Sequence, residues 1–243
     1  MGVRDEPARD GPRHAGLRGL YPFLYEAPPG GTGMEPAVFA GAARSSEEKA
    51  MQIVRLRQEM AELSCERIAD CAEEMAARFA EGARLFTFGN GGSSTDAQEV
   101  ATTFLSPCAG DGLPLPALSL TSDVAVVTAL SNDVSFDVVF ARQLAALGRA
   151  GDIALGLSTS GGSANVVRAF EEASRRGMLT VGLAGGQGGR LTELAETGVL
   201  DHLFVVPSSS VHRIQETQTT VYHVLWELVQ HALEPWHRDG EAA

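Results

Sequence analysis

The feature that most constrains this chain is a series of five short, mostly apolar segments that alternate with longer helical patterns. Apolar segments of this length are expected for strands buried on both faces of a sheet. Parallel strands need crossover connections, which the helical patterns supply. The sequence therefore predicts an α/β fold, a three-layer αβα domain with a doubly wound, five-stranded parallel sheet. The predicted strands are Arg84–Phe88, Ala117–Leu120, Ile153–Leu157, Leu179–Leu183 and His202–Val206.

Helical patterns lie before, between and after these strands. Ser45 and Glu48 form a capping box, which predicts that an ordered helix begins at Ser45. Apolar residues keep helical spacing to Leu63 and resume at Ile68, so we expect a bend or two helices there. The later predicted helices are Thr95–Phe104, Asp123–Leu130, Phe136–Leu147, Ala164–Arg176 and Val211–Leu233.

The distribution of glycine and proline predicts where the domain begins. Residues 1–44 hold eight of the 27 glycines and six of the 11 prolines, which is typical of a flexible leader. One domain follows at 45–236, and a tail at 237–243. The domain comprises N-terminal helices (45–80), a sheet core (83–207) and a C-terminal helix (211–234).

Charge and composition exclude several classes of partner. The 31 acidic and 19 basic residues leave a net charge of −12, which repels nucleic acid and anionic lipid. The longest apolar runs are too short to span a membrane. The three cysteines have irregular spacing, which predicts neither a disulfide framework nor a zinc knuckle and favours the cytoplasm. An anionic small ligand would need local hydrogen-bond donors.

Two loops rich in glycine and hydroxyl groups join strands to helices. The first is Gly89-Asn90-Gly91-Gly92-Ser93-Ser94, whose glycines let the backbone approach a ligand at a helix N-terminus. Ser94 replaces the third glycine of the dinucleotide fingerprint, which disfavours nicotinamide binding. Taken alone, this loop could equally be a tight turn between a strand and a helix.

The second loop favours a ligand more strongly. Residues 158–163 (Ser-Thr-Ser-Gly-Gly-Ser) contain four hydroxyl groups and two glycines. A phosphate monoester dianion has several acceptor oxygens, so neutral N–H and O–H donors at a helix N-terminus can solvate it. The sequence matches neither the P-loop, which requires a lysine, nor the G-x-S-x-G elbow of serine hydrolases. We therefore predict a phosphate site.

Four motifs, Gly89–Ser93, Ser131–Asp133, Gly156–Asn165 and Arg213–Glu216, occur in the order and spacing of a known family. From about Ser45 to Leu233 the chain resembles the sugar isomerase (SIS) domain of the phosphoheptose isomerases. The resemblance implies a flavodoxin-like subunit, a homo-oligomer (tetramer or dimer) with active sites at subunit contacts, and a phosphorylated sugar as substrate. The implied reaction converts sedoheptulose 7-phosphate to D-glycero-D-manno-heptose 7-phosphate, often with zinc.

The resemblance also implies which residues bind the substrate. Hydroxyl side chains would hold the phosphate, whereas residues of the first loop and of the Ser131–Asp133 motif would face the sugar. The residues expected to hold the phosphate are Ser93, Ser158, Thr159, Ser160 and Ser163, those expected to face the sugar are Asn90, Gly91 and Asp133, and Gln215 is also expected to bind the substrate.

The catalytic positions depart from the family pattern. Gln215 and His223 match the family's glutamine and histidine, but Glu99 and Thr103 occupy the positions of its other histidine and of its glutamate. Isomerisation through an enediol needs a base and an acid. We hypothesise that Glu99 serves as base or metal ligand and His223 as acid. No cofactor is certain, and zinc, if bound, would take Glu99, Gln215 and His223.

Interpretations that give Glu99 and His223 no functional role also stay open. Glu99 could be a solvated surface residue, and His223 could be an ordinary packed histidine. Two other functions also stay open: a non-catalytic SIS module that binds a phosphosugar and regulates a partner, and a different reaction on a phosphosugar. The loss of the family's glutamate at Thr103 favours the regulator, whereas Gln215 and His223 favour the enzyme.

Overall fold

The computed structural model describes residues 36–107 and 112–240. The chain separates into two compact units, 1–49 and 50–243. The described part of the first unit is helical, and the second contains the sheet. The helices are α1 (Pro36–Ala80), α2 (Gly92–Leu105), α3 (Val124–Asp133), α4 (Val139–Leu147), α5 (Ala164–Arg175), α6 (Gly189–Glu196) and α7 (Val211–Gly240).

All five strands pair in parallel, in the order β2-β1-β3-β4-β5, which confirms the predicted doubly wound sheet. Each strand lies within two residues of its predicted bounds. The short α6, which joins β4 to β5, was not predicted. The strands are β1 (Leu85–Gly89), β2 (Ala117–Ser119), β3 (Ile153–Ser158), β4 (Leu179–Gly185) and β5 (His202–Val206).

The two faces of the sheet bury separate apolar clusters. Side chains of α1, α2 and α7 pack on one face against Leu85 and Leu155, and α4, α5 and α6 pack on the other against Phe86 and Ala154. Neighbouring residues of one strand therefore point into different clusters, as the pleat requires. None of the helices in the described part of the chain is long and apolar enough to span a bilayer.

The prediction for the N-terminal helix was wrong at its start. The helix begins at Pro36, a residue type that suits the first helical position. Ser45 therefore lies inside the helix, where its Oγ accepts a hydrogen bond from Lys49 Nζ at 2.9 Å. The structure has one helix here rather than two. Ser64, only 5 % exposed, occupies the buried stripe, while Leu63 is 63 % exposed.

These results revise the predicted leader and tail at their inner ends. Residues 36–44, assigned to the leader, are helical, and α7 continues to Gly240, beyond the predicted end at 234. A helix can extend past its last buried residue, and the prediction for α7 stopped at the end of the apolar stripe. The rest of the predicted leader (1–35) and tail (241–243) lies outside the described residues.

Candidate active site

The two predicted ligand loops lie side by side at the carboxyl ends of β1 and β3. These strands are neighbours, with Gly89 paired to Leu157. The first predicted loop follows β1, and the second follows β3. In a sheet with this strand order, all strands run in parallel but the order in which they follow one another across the sheet reverses between β1 and β3, and ligands bind in the crevice at that point. The loop 90–91, called the β1 loop below, opens α2, and the loop 159–163, called the phosphate loop, opens α5.

Contacts with the next loop of the sheet fix the backbone of the phosphate loop. Gly161 has a φ of 63°, and a Cβ there would collide with the carbonyl of Gly188. Gly161 in turn accepts a hydrogen bond from the Leu191 N–H at 3.1 Å. Only glycine fits at position 161, because both the positive φ and the close backbone contact exclude a side chain.

Hydroxyl groups line this loop. Ser158, which is buried, places its Oγ 3.1 Å from Ser163 Oγ, and Ser160 Oγ accepts from the Gly162 N–H at 3.2 Å. Among the described residues, the side chain of the N-cap Ser163 makes no capping bond to α5. The Val166 N–H bonds to Asn165 Oδ1 at 3.0 Å, and the N–H groups of Ala164 and Asn165 are left for an anion, together with the partial positive charge of the helix end.

An amide pair joins the two loops. Asn90 Nδ2 donates to Asn165 Oδ1 at 2.8 Å, and Asn165 Nδ2 donates back to Asn90 Oδ1 at 2.8 Å. In the β1 loop, Gly91 has a φ of 56°, and Ser93, at the start of α2, is buried. Asn165 was quoted as part of a motif but was not predicted to have a role.

The structure brings the two predicted catalytic residues together. His223 Nε2 of α7 lies 3.4 Å from Glu99 Oε1 of α2, and both side chains are about half exposed. Neither is a buried, packed residue, and the two can exchange a proton with each other or with a ligand between them. Thr103, one turn further along α2, is half-buried.

Sequence reasoning missed a carboxyl group beside this pair. Asp96 Oδ2 accepts a hydrogen bond from Gln215 Nε2 at 3.4 Å. Burial and the nearby charge of Glu99 raise the pKa of Asp96 to about 6, while the bond from Gln215 acts in the opposite direction. Asp96 is three residues before Glu99, so the two lie on one helix face, and this spacing could have identified it.

Gln215 and Tyr222 complete the surroundings of the pair. The amide of Gln215 lies over Gly92, where a Cβ would collide with it. The ring of Tyr222 packs at 4.9 Å from that of His223, and burial raises the pKa of the Tyr222 phenol. The helices α2 and α7 therefore meet through a continuous set of polar side chains.

Asp133 stands apart from this arrangement. It is exposed at the end of α3, where its carboxylate accepts a hydrogen bond from Asn132 at 2.7 Å. Within residues 36–107 and 112–240, no hydrogen bond links it to the β1 loop or to the phosphate loop. Its predicted role toward the sugar stays a prediction.

The donor set does not complete a zinc site. Catalytic zinc takes three protein ligands, and Glu99 and His223 supply two. The third expected ligand, Gln215, directs its amide to Asp96, and Thr103 offers a hydroxyl where the family has a carboxylate. Over the described ranges, no group of three or more His, Cys, Asp or Glu side chains is arranged to hold a metal ion.

Comparison with known proteins agrees with this geometry. The SIS domain model matches residues 50–185. The phosphoheptose isomerase of Nitratidesulfovibrio vulgaris is 40 % identical over 209 residues, covering 83 % of this chain and 98 % of that protein. The structure of the Neisseria gonorrhoeae phosphoheptose isomerase aligns with a TM-score of 0.70 at 34 % identity, covering 77 % and 97 % of the two chains. The Francisella tularensis enzyme aligns with a TM-score of 0.73 at 33 % identity, covering 78 % and 98 %. The chain therefore belongs to the SIS-domain family and, within it, to the phosphoheptose isomerases.

Proposed function

We propose that this protein interconverts sedoheptulose 7-phosphate and D-glycero-D-manno-heptose 7-phosphate. The observation that carries the proposal is the 3.4 Å contact between Glu99 and His223, on two helices that both begin at the carboxyl edge of the sheet. Glu99 lies about 10 Å along α2 from its first residue. The proposal requires a seven-carbon chain, whose phosphate is held at the phosphate loop, to reach this pair.

The residues have complementary roles in this reaction. Glu99 takes a proton from C1 of the ketose, and the C–H electrons form the C1=C2 bond of the enediol. The carbonyl oxygen on C2 receives a proton from His223. Return of a proton to C2 and loss of one from the hydroxyl on C1 give the aldose. General acid and base catalysis of this kind contributes about 10²–10⁴-fold to the rate.

The phosphate loop supplies binding rather than chemistry. In this proposal, Ser158, Thr159, Ser160 and Ser163 and the open N-terminus of α5 hold the phosphate, and Ser93 adds a donor from α2. Asn90 and Gly91 lie beside the sugar, and Gln215 contacts it from α7. Binding energy from the phosphate, which does not react, can then orient C1 and C2 toward Glu99 and His223.

An NMR assay of sedoheptulose 7-phosphate turnover tests the proposal. We expect Glu99→Gln and His223→Ala to lose at least about 100-fold in kcat, because each removes one proton-transfer group. His231→Ala is the matched control, since His231 and Glu234 form an exposed pair at the same 3.4 Å distance on α7. Unchanged turnover in either active-site variant would contradict the assignment. Stabilisation of the wild-type protein by the sugar phosphate without turnover would identify a sensor instead.

A chelator distinguishes the two roles considered for Glu99. Because Glu99 and His223 are assigned to proton transfer and the zinc ligand set is incomplete, we expect turnover to stay within about twofold after EDTA treatment. Loss of turnover that returns when zinc is added would assign Glu99 and His223 to a metal instead.

We also propose that the protein is a homo-oligomer, either a tetramer or a dimer. An exposed apolar surface on α3 and the segment after it supports this proposal: Val124 is 70 % exposed, Val134 55 % and Phe136 50 %. Surfaces of this kind mark interaction sites in soluble proteins. Sedimentation of the wild-type protein beside Val124→Lys tests it, and a wild-type monomer would contradict it.

A further inference from the structure

The amide pair between Asn90 and Asn165 has a feature that an ordinary surface contact lacks. Asn165 is 2 % exposed, and its side chain makes three hydrogen bonds, all to neighbouring residues. Its Oδ1 accepts from Asn90 Nδ2 at 2.8 Å and from the Val166 N–H at 3.0 Å, and its Nδ2 donates to Asn90 Oδ1 at 2.8 Å. The exchange uses both ends of each amide, which fixes the rotation of both side chains.

The fold itself does not require this pair. The register of β1 and β3 is set by five pairs of residues that end at Gly89 and Leu157, before the amide pair begins. Two apolar clusters hold the helices on the sheet. Replacing a buried, hydrogen-bonded pair with apolar groups of the same shape can be nearly neutral for stability. Asn90 and Asn165 therefore serve the position of the loops more than the stability of the sheet.

We propose that Asn165 is a positioning residue that fixes Asn90, and with it the β1 loop, at a set distance from the phosphate loop. The inference rests on the proposed function, because it assigns the sugar to the β1 loop and the phosphate to the phosphate loop. A phosphosugar that contacts both loops is then aligned with Glu99 and His223. The side chain of Asn90 keeps one N–H and one lone pair for the sugar, in a fixed direction.

This role predicts different effects on two ligands. The phosphate loop keeps its own supports, since Gly161 is held by Leu191 and packs on Gly188. Inorganic phosphate, which needs this loop alone, should therefore bind with little change when Asn165 is replaced. A sugar phosphate needs both loops, and misplacement of a reacting group by about 1 Å can cost roughly 100-fold in rate.

The experiment compares Asn165→Leu and Asn165→Asp with the wild-type protein. Leu removes the whole pair at similar volume, and Asp keeps the acceptor but cannot donate to Asn90. We expect kcat/KM for sedoheptulose 7-phosphate to fall by about 10- to 100-fold in both variants. The calorimetric Kd for inorganic phosphate should stay within about threefold of wild type in Asn165→Leu, which adds no charge near the phosphate loop.

Thr180→Val is the matched control. Thr180 is fully buried, and its Oγ1 bonds to Asp201 at 2.8 Å and to the Val199 carbonyl at 3.1 Å, at the opposite edge of the sheet. The variant loses these two bonds and a third, which Thr180 Oγ1 accepts from the Asp201 N–H at 2.9 Å, so its melting temperature should fall while kcat/KM and the phosphate Kd stay unchanged. A fall of kcat/KM in the control equal to that in the Asn165 variants would overturn the proposal.

A double variant tests whether Asn165 acts through Asn90. If it does, adding Asn165→Leu to Asn90→Ala should cost less than about twofold further in kcat/KM, because coupled residues are not additive. Full additivity would overturn the proposal, as would equal weakening of phosphate and sugar phosphate. If Asn165→Leu does not fold, Asn90→Ala alone must show the same split between the two ligands.

Failure of the proposed function would be visible separately. A wild-type protein that binds sedoheptulose 7-phosphate without turnover would disprove the isomerase assignment, and the affinities would still test the positioning role. In that case Asn165→Leu should weaken binding of the sugar phosphate at least tenfold while phosphate binding is kept. Equal retention of both ligands would overturn the inference.

Discussion

The N-terminus of α3 and the N-terminus of α5 lie at the same edge of one sheet, but only the first is capped by a side chain among the described residues. At α3, the carboxylate of Asp123 accepts from the N–H groups of Ala125 and Val126 at 3.0 and 3.1 Å. At α5, the N-cap is Ser163, whose side chain makes no capping bond within the described residues. The first helix end already holds an anion of the chain's own, and the second is left for a ligand.

The difference shows how one fold can offer several helix ends and use few of them. Every helix N-terminus attracts negative charge through its free N–H groups. The aspartate at the N-cap of α3 satisfies these groups permanently, whereas Ser163 at the N-cap of α5 makes no side-chain capping bond among the described residues and leaves them accessible. The N-terminus of α2, capped by Gly91 rather than by a side chain, belongs with α5 in this respect for the part of the chain described.

Placing a carboxylate at the N-cap of α5 should have the largest effect on kcat/KM. We expect Ser163→Asp to lower kcat/KM more than about 100-fold, since a like charge beside a bound phosphate costs several kcal/mol. The free energy of unfolding should stay unchanged or rise by up to about 1 kcal/mol, because the new carboxylate caps the helix. Ser163→Asn is the neutral control, which should keep at least tenfold more activity than Ser163→Asp. An active Ser163→Asp enzyme would contradict this account of α5.

Adding a methyl group at the N-terminus of α2 should have a smaller effect on kcat/KM. A methyl group at position 92 collides with the amide of Gln215, so Gly92→Ala should displace that amide from Asp96 and lower kcat/KM about tenfold. Gly41→Ala is the control for the substitution itself, because a Cβ at that position has no atom within 4 Å among the residues described. Equal kinetics of the two variants and the wild type would show that the position of Gln215 does not matter.

Removing the N-cap side chain of α3 should lower the stability of the protein without changing catalysis. Asp123→Ala removes two capping bonds, which should cost about 1 kcal/mol and lower the melting temperature by about 2–4 °C. Asp123→Asn keeps a capping side chain and should recover most of the loss. The KM for the sugar phosphate should not change in either variant. A higher KM in Asp123→Ala would place this helix end in the ligand site.

The smallest expected effect concerns Asp96, a carboxyl group one turn inside the open end of α2. Its pKa in the folded protein is about 6, compared with an ordinary value of 3.8. The folded state therefore binds a proton more tightly, and the resulting stability is complete below about pH 4 and is lost as the pH rises through 6. Asp96→Asn should raise the melting temperature relative to wild type by about 1–2 °C more at pH 7.5 than at pH 4. A difference that does not vary with pH would contradict the raised pKa.

The sheet was predictable because burial on both faces leaves a strong local pattern in each strand. Helix boundaries were less predictable because they depend on which residues the rest of the fold covers. Leu63 was assigned to the core and is exposed, whereas the buried position is taken by Ser64, a residue whose polarity hid it. The helix α6 is eight residues long and has two buried leucines, Leu191 and Leu194, too few for a clear helical period.

Some features of the candidate site were predictable from the sequence, and others were not. The phosphate loop was predictable because its glycines and hydroxyl groups are consecutive in the sequence. The contact of Glu99 with His223 was expected from the family resemblance alone, since these residues are far apart in the chain. Asn90 and Asn165 are 75 residues apart. No local sequence pattern could predict the hydrogen bonds between them, because these bonds depend on how two distant segments pack. The spacing of Asp96 from Glu99 is visible in the sequence, but the raised pKa of Asp96 also depends on burial, which no local pattern shows.

A crystal structure of the Glu99→Gln protein with sedoheptulose 7-phosphate tests the central claim most directly. We predict that the phosphate lies between Ser158 and Ser163, within hydrogen-bond distance of the first N–H groups of α5, with C1 and C2 of the sugar beside His223. Phosphate density at any other helix end, with the phosphate loop empty at a saturating concentration of ligand, would contradict the account.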